Sequence, residues 1–273
     1  AADILPWLTL YHWDLPQALQ ERGGWTNRET ADRFTEYALD MHDALGDRVS
    51  VWTTLNEPWC SSFLGYTAGI HAPGHYSKTE GMLAAHHLLL GHGQTVRELR
   101  ARDGSLNLGV TLNLTVADPV DPTDSADLDA ARRIDGQFNR WFLDPIFRGA
   151  YPQDIFDEIA DDELRAAILP GDLETISTRI DTLGVNYYHG ELVGGHRPEF
   201  PPKPGDAPTD RRSDSPFPSS ENIYWHERGL KRTPMNWEVQ PEGLTRLLVR
   251  VWEEYAEPSG TALFVTENGA AYD

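Results

Sequence analysis

The stretch VSVWTTLNEPW, residues 49–59, passes from a mostly apolar and β-branched run into a cluster of polar and aromatic side chains. A short, nearly continuous run of this kind is typical of a parallel β-strand that is covered on both faces. Four other segments share the pattern. The sequence therefore predicts five strands, over residues 4–10, 49–55, 106–114, 180–188 and 261–266.

Helical patterns lie between the predicted strands. Ser77 with Glu80 and Thr26 with Glu29 form two capping boxes, which predict the starts of two helices. The helix after Ser77 is expected to end near Gly104. Three further helices are predicted over residues 128–147, over residues 153–167 and from Pro241 onward.

The alternation of strands and helices predicts βαβ units with right-handed crossovers. A doubly wound open sheet and a (β/α)8 TIM barrel are the two usual architectures built from such units. A doubly wound nucleotide-binding domain should carry a Gly-rich loop after its first strand. The sequence has neither G-x-G-x-x-G nor G-x-x-x-x-G-K, which favours the barrel.

The composition of the chain excludes several classes of function. The 273 residues carry a formal net charge of −20, which disfavours binding to nucleic acid or to an anionic membrane. No stretch approaches the roughly 18 apolar residues of a spanning helix. Cys60 is the one cysteine. It excludes an intrachain disulfide and favours a reducing compartment, so we predict a cytoplasmic protein.

Every predicted strand has polar or aromatic side chains at its carboxyl end. In parallel barrel strands these ends converge on one mouth, where barrel enzymes keep their active sites. The sequence therefore predicts a shared site built from Tyr11-His12-Trp13-Asp14, Asn56-Glu57-Pro58-Trp59, Asn113, Asn186-Tyr187-Tyr188 and Glu267-Asn268.

The residue types at these ends indicate the chemistry. Glu57 and Glu267 are two carboxylates, accompanied by amides, phenols and indoles but by no Lys, no Ser nucleophile with a matched His and no convincing metal set. Two carboxylates across a pocket can protonate a leaving group and attack the other face of a carbon. Trp faces stack on sugar rings. The site suits a small-molecule glycoside, and no cofactor is expected.

These residues also lie in motifs that resemble glycoside hydrolase family 1. The likeness covers essentially the whole chain in family order, and the family consists of (β/α)8 retaining β-glycosidases, typically β-glucosidases and β-galactosidases. The motifs that carry it are Thr54-Leu55-Asn56-Glu57-Pro58, Val265-Thr266-Glu267-Asn268-Gly269, Thr9-Leu10-Tyr11-His12-Trp13-Asp14-Leu15-Pro16, Gly184-Val185-Asn186-Tyr187-Tyr188, Trp237-Glu238-Val239-x-Pro241-Glu242-Gly243-Leu244 and Phe142-Leu143-Asp144-Pro145-Ile146-Phe147.

The resemblance implies roles for the matched positions. Glu57 corresponds to the general acid/base and Glu267 to the nucleophile of a double displacement on terminal β-D-glucosides or related β-glycosides. Asn56 and His12 are expected to bind sugar hydroxyls, with Trp13 beside His12. Asn186 and Tyr188 are expected near the nucleophile. The walls of the site would include Trp59 and Trp237 on the aglycone side, and Asn113.

The sequence departs from the family in two places. Asn236 stands where the family usually has Gly before Trp237, and Asn tolerates a left-handed backbone. The family's first, second and eighth strands have no counterpart. We therefore expect an α/β fold, a TIM barrel that is incomplete in this chain with about five of eight strands. Residues 1–273 would form a single catalytic domain, truncated at both ends.

Several alternatives remain open from the sequence. The chain could be an inactive or sugar-binding barrel fragment, or part of a phospho-β-glycosidase. Glu57 and Glu267 could each be a solvated residue in a turn. Cys60 is interpreted as a buried small hydrophobic residue. Sugar specificity and oligomeric state are undetermined. A proline-rich loop over residues 194–220 is interpreted as an active-site rim or as surface filler. Five histidines are interpreted as structural or surface residues, namely His71, His75, His86, His87 and His92.

Overall fold

A computed structural model describes residues 4–198 and 215–272. It confirms the five predicted strands and adds three short ones. In chain order the strands are β1 (Trp7–Tyr11), β2 (Val51–Asn56), β3 (Asn107–Asn113), β4 (Ala117–Pro119), β5 (Thr182–Asn186), β6 (Glu191–Gly194), β7 (Tyr224–Trp225) and β8 (Ala262–Glu267).

The five long strands form one parallel sheet in the order β1-β2-β3-β5-β8. Spatial order therefore follows chain order, without the reversal that defines a doubly wound sheet. This is the arrangement of consecutive strands in a TIM barrel, and the predicted α/β fold is confirmed. The three short strands form a second sheet, β4-β6-β7, which the sequence analysis missed.

Helices lie between the long strands along the chain. They are α1 (Gln17–Gln20), α2 (Glu29–Leu45), α3 (Lys78–Arg102), α4 (Ser125–Asp135), α5 (Trp141–Arg148), α6 (Gln153–Ile159), α7 (Asp162–Ala167), α8 (Asp172–Ile176), α9 (Pro241–Val251) and α10 (Glu257–Ser259). Gly24–Thr26 is a 3-10 turn, and Cys60–Thr67, Gly136–Arg140 and Trp252–Ala256 are π-helical. Among the described residues, no helix combines the length and apolar character needed to cross a membrane.

Only the cap residue of one predicted capping box is correct, because the Glu80 carboxylate contacts His75 Nδ1 at 2.9 Å and the Ser77 amide donates to the Tyr66 carbonyl at 2.8 Å. Ser77 Oγ accepts a hydrogen bond from the Glu80 amide at 3.2 Å and caps α3. The Thr26 box is wrong, because the Thr26 hydroxyl donates instead to the Gly23 carbonyl at 2.7 Å within the 3-10 turn. Asn27 Oδ1 accepts from the Glu29 amide at 3.0 Å and starts α2.

Two other predicted segments differ from the structure. The helix predicted over residues 153–167 is broken between α6 and α7, where Asp161 caps the second part by accepting from the Leu164 amide at 2.8 Å. Of the proline-rich loop over residues 194–220, residues 199–214 lie outside the described part of the chain.

Three of the histidines interpreted as structural lie buried on α3. Burial lowers the pKa of His87 and of His92 to about 4, so both are neutral near pH 7. His86 lies between two elements distant in sequence, because its Nδ1 contacts the Tyr151 hydroxyl at 2.9 Å and its Nε2 contacts Asp172 Oδ2 at 3.1 Å. These rings fasten α3 to its surroundings.

Asp172 is the charged centre of that contact. Its side chain is 5% exposed and accepts two hydrogen bonds from Arg28, at 2.5 and 2.8 Å. Burial opposes ionisation of Asp172, but the hydrogen bonds from Arg28 and His86 outweigh it and hold its pKa well below the usual range. The ion pair joins the start of α2 to α8, next to His86 of α3.

We predict that Asp172→Asn lowers the stability of the chain by about 3 kcal/mol, because it leaves the Arg28 charge without its partner. Thermal unfolding followed by circular dichroism measures this. The wild-type advantage should be full at pH 7 and should decline below about pH 4, since a depressed folded pKa stabilises only while the unfolded carboxyl is ionised. Asp43→Asn, which alters the exposed pair with Arg102, is the control and should change stability by less than about 0.5 kcal/mol.

The long sheet has two free edges, since no described strand pairs with the outer side of β1 or β8. The sheet curls so that the rings of Trp7 on β1 and Phe264 on β8 meet, with centroids 5.0 Å apart. Phe264 and Val265 are nevertheless 44% and 46% exposed. Free parallel edges with apolar side chains promote association between chains.

We predict that the purified 273-residue chain self-associates through these edges and that Val265→Lys reduces the association, because an edge charge opposes strand pairing. Val249→Lys is the matched control, since Val249 is 50% exposed on α9 rather than on an edge strand. Light scattering after size exclusion measures the mass. A wild-type chain that stays monomeric at all concentrations would contradict the prediction.

Candidate active site

The carboxyl ends of β2, β3, β5 and β8 meet at one mouth of the sheet. Asn186 at the end of β5 lies opposite Glu267 at the end of β8 in the parallel ladder, and Glu57 directly follows β2. The ladder register shifts just before both carboxylates, after Thr53 in β2 and after Val185 in β5. Bulges of this kind re-aim side chains at the ends of strands.

Glu57 is buried, with 6% of its surface exposed. Its Oε1 accepts a hydrogen bond from Asn186 Nδ2 at 2.7 Å, and its Oε2 accepts one from Cys60 Sγ at 3.2 Å. The pKa of Glu57 is raised, chiefly by burial and also by the charge of Glu267. Asn186, Cys60 and His12 act in the opposite direction. Glu57 is thus a carboxyl that tends to keep its proton.

Glu267 has different neighbours. The Tyr188 hydroxyl donates to Glu267 Oε2 at 2.8 Å. Burial and this bond to a carboxylate raise the pKa of Tyr188 to about 12, so the phenol remains a donor. The backbone holds the same end of the strand, because the Tyr187 amide donates to the Glu267 carbonyl at 3.0 Å. Glu267 therefore accepts a hydrogen bond from a phenol that keeps its proton at neutral pH.

A chain of amides connects the carboxyls to the predicted sugar-binding residues. Asn186 Nδ2 also contacts Asn56 Oδ1 at 3.2 Å, and Asn56 Nδ2 lies 3.1 Å from His12 Nε2. Trp13 Nε1 donates to the Asn56 carbonyl at 2.9 Å. His12, Trp13, Asn56 and Asn186 thus lie in one hydrogen-bonded row, at the mouth where the sequence predicts a shared site.

A cleft of about 1220 Å³ opens over the two carboxyls. Trp59 lies in one wall, stacked on Phe138 with centroids 4.4 Å apart. Trp237 lies in another, 5.4 Å from the Tyr188 ring, and Asn236 before it has the left-handed φ of 65° for which Asn is suited. The predicted site residues that line the cleft are Trp13, Glu57, Trp59, Asn113, Asn186, Tyr188, Trp237 and Glu267.

The sequence analysis missed several residues of this cleft. Cys60, assigned as a buried hydrophobe, is indeed buried, but its thiol contacts Glu57. A helical turn after Glu57 would have placed the residue three positions later beside it. Glu191 and His189 follow β5 and lie 3.4 Å apart in the wall. Ser215, Pro216 and Phe217, from the loop interpreted as an active-site rim or surface filler, also line the cleft. Other lining residues that the sequence analysis missed include His71, Phe138, Trp225 and Met235.

Known proteins resemble this chain along its whole length. The model of Glycosyl hydrolase family 1 matches residues 1–273. A bifunctional beta-D-glucosidase/beta-D-fucosidase of Bifidobacterium breve is 40% identical, over 98% of this chain and 56% of its own length. Thermostable beta-glucosidase B of Thermobispora bispora is 43% identical, over 99% and 51%. The chain thus spans about half the length of these curated relatives.

Solved structures give the same result. The crystal structure of a psychrophilic beta-glucosidase from Micrococcus antarcticus superposes with a TM-score of 0.93 at 53% identity, covering 98% of this chain and 56% of that one. A beta-glucosidase from Exiguobacterium marinum superposes with a TM-score of 0.85 at 37% identity. We call the product of the reading frame that contains these 273 residues the parent protein.

We predict that Glu267→Gln lowers the pKa of Glu57 in the parent protein, because it removes a negative charge that disfavours ionisation of Glu57. Carbon-13 NMR of labelled Glu carboxyls, assigned with Glu57→Gln, measures the titration. Glu191→Gln, which neutralises another carboxyl of the same cleft, should leave the titration of Glu57 unchanged. An unaltered Glu57 titration in Glu267→Gln would show that the two carboxyls are not coupled.

Proposed function

The chain belongs to glycosyl hydrolase family 1, and from that membership we propose that its parent protein is a retaining β-glycosidase acting on terminal β-D-glucosides. Residues 1–273 are then part of a single catalytic barrel domain, whose remaining strands pair with the free edges of β1 and β8. The observation that carries the proposal is the pair of carboxyls in one cleft, Glu57 with a raised pKa and Glu267 beside the Tyr188 hydroxyl.

The two environments support different roles in a double displacement. Glu57 starts protonated and gives its proton to the leaving oxygen, while ionised Glu267 attacks the anomeric carbon and forms a glycosyl-enzyme. Glu57 is then an anion and takes a proton from the water that releases the sugar. One carboxyl must hold its proton and the other must not, and burial, charge and the Tyr188 donor favour that division.

The remaining predicted residues have roles consistent with this reaction. The row of Asn186, Asn56 and His12 binds sugar hydroxyls beside the carboxyls. Trp59 and Trp237 form apolar walls of the outer cleft, suited to an aglycone. The names of the relatives support glucosides as the substrate class. The one cysteine supports a cytoplasmic location.

We predict that Glu267→Ala abolishes turnover of an aryl β-glucoside by the parent protein, because no group remains to attack the anomeric carbon. Added azide should restore part of the rate and give a glycosyl azide of inverted configuration. Chromatography and proton NMR of the products measure both effects. With the wild type, the first sugar released should have the β configuration, and an α product would contradict retention.

We predict that Glu57→Ala slows hydrolysis of an alkyl β-glucoside about 10²–10⁴-fold, the usual contribution of general acid catalysis. An activated aryl glucoside should lose far less in its glycosylation step, since a good leaving group departs without a proton. Pre-steady-state and steady-state rates with both substrates measure this. Glu191→Gln is the carboxyl control. Equal losses on the two substrates would remove the acid role from Glu57.

A further inference from the structure

Cys60 holds Glu57 through a contact that the proposed mechanism does not use. It begins the π-helical turn Cys60–Thr67, three residues after Glu57, and its Sγ lies 3.2 Å from Glu57 Oε2. Asn186 Nδ2 donates to the other oxygen, Oε1, at 2.7 Å. Each oxygen of this carboxyl therefore has one donor among the described residues, an amide on one side and a thiol on the other.

The direction of the thiol hydrogen bond follows from its surroundings. Burial and the charge of Glu57 raise the pKa of Cys60 well above its ordinary value, so the sulfur keeps its proton at neutral pH. Asn113 Nδ2 donates to the same sulfur from β3, at 3.6 Å. Because the sulfur accepts from Asn113, its S–H is left to donate to Glu57.

We propose that Cys60 is a positioning residue for the acid/base carboxyl, whose thiol fixes the rotamer of Glu57 and stabilises its ionised form. This inference deepens the proposed function and rests on it. Glu57 must give up a proton in the first step and act as an anion in the second. A weak donor on Oε2 stabilises the ionised carboxylate but still allows Glu57 to be protonated. A cationic donor would oppose the protonated form.

Other groups also face Glu57 and set the background for this effect. Glu267 on β8 disfavours the ionised form, whereas His12 after β1 and Asn186 on β5 favour it. Tyr188 after β5 is neutral near pH 7 and is hydrogen-bonded to Glu267. Cys60 differs from these because it belongs to the turn that continues directly from Glu57, so its donor moves with the carboxyl it holds.

The test replaces the thiol in the parent protein with a side chain of similar volume and no donor. In Cys60→Val the Glu57 titration, followed by carbon-13 NMR, should move up by about 0.5–1 pH unit, as expected for loss of one hydrogen bond. The basic limb of kcat/KM against pH should move up by the same amount, because Glu57 keeps its proton to higher pH. Cys60→Ser restores a donor and should return both values toward wild type.

Ser61→Ala is the matched control. Ser61 is buried on the same turn, and no hydrogen bond joins its hydroxyl to Glu57 among the described contacts, so neither value should move. Thermal unfolding shows which variants are folded. A folded Cys60→Val protein whose Glu57 titrates as in the wild type would overturn the positioning role.

The NMR titration needs no turnover, so it separates the two hypotheses. A parent protein that hydrolyses no β-glucoside would overturn the proposed function, while the response of Glu57 to Cys60→Val still decides whether the thiol holds that carboxyl. A shifted titration with an unshifted basic limb would overturn the assignment of Glu57 as the acid/base, and with it the catalytic part of the inference.

Discussion

The hydrogen bond from Asn186 to Glu57 is the contact on which the rest of the site depends. Asn186 lies opposite Glu267 in the ladder of β5 and β8, and its Oδ1 accepts from Thr266 Oγ1 at 2.7 Å. Its amide nitrogen reaches both Glu57 and Asn56 across the mouth of the sheet. One buried amide therefore joins the strand of each carboxyl, and any displacement of β5 would change both carboxyl environments at once.

The parts of the fold and site that the sequence predicts are those set by local pattern and by strand direction. Continuous apolar runs identify the five long strands, and the ends of parallel strands must meet at one edge. That rule alone brings Glu57, Asn186 and Glu267 together, although they are far apart in the chain. The Ser77 cap follows from the same kind of local signal, because its donor lies three residues away.

The parts that the sequence does not predict depend on competing hydrogen-bond partners, on very short strands or on residues that are far apart in the chain. Thr26 has the sequence of a helix cap, but the 3-10 turn provides a nearer acceptor at Gly23 for its hydroxyl. The second sheet uses strands of two to four residues, too short to show any periodicity. The ion pair of Arg28 with Asp172 spans 144 positions of sequence. Cys60 likewise becomes a partner of Glu57 only after the backbone turns.

That turn explains how two adjacent residues serve one site. In a regular strand, neighbouring side chains point to opposite faces, so Asn56 and Glu57 could not both reach Asn186. Glu57 has a left-handed φ of 48°, which non-glycine residues seldom adopt and which costs about 1–3 kcal/mol. Two backbone hydrogen bonds fix it, since its amide donates to the Thr111 carbonyl at 2.9 Å and its carbonyl accepts from the Cys60 amide at 2.9 Å. The strain thus redirects the carboxyl into the cleft beside Asn56, and the same bond to Cys60 that holds the strained peptide also brings the thiol within reach of the carboxyl.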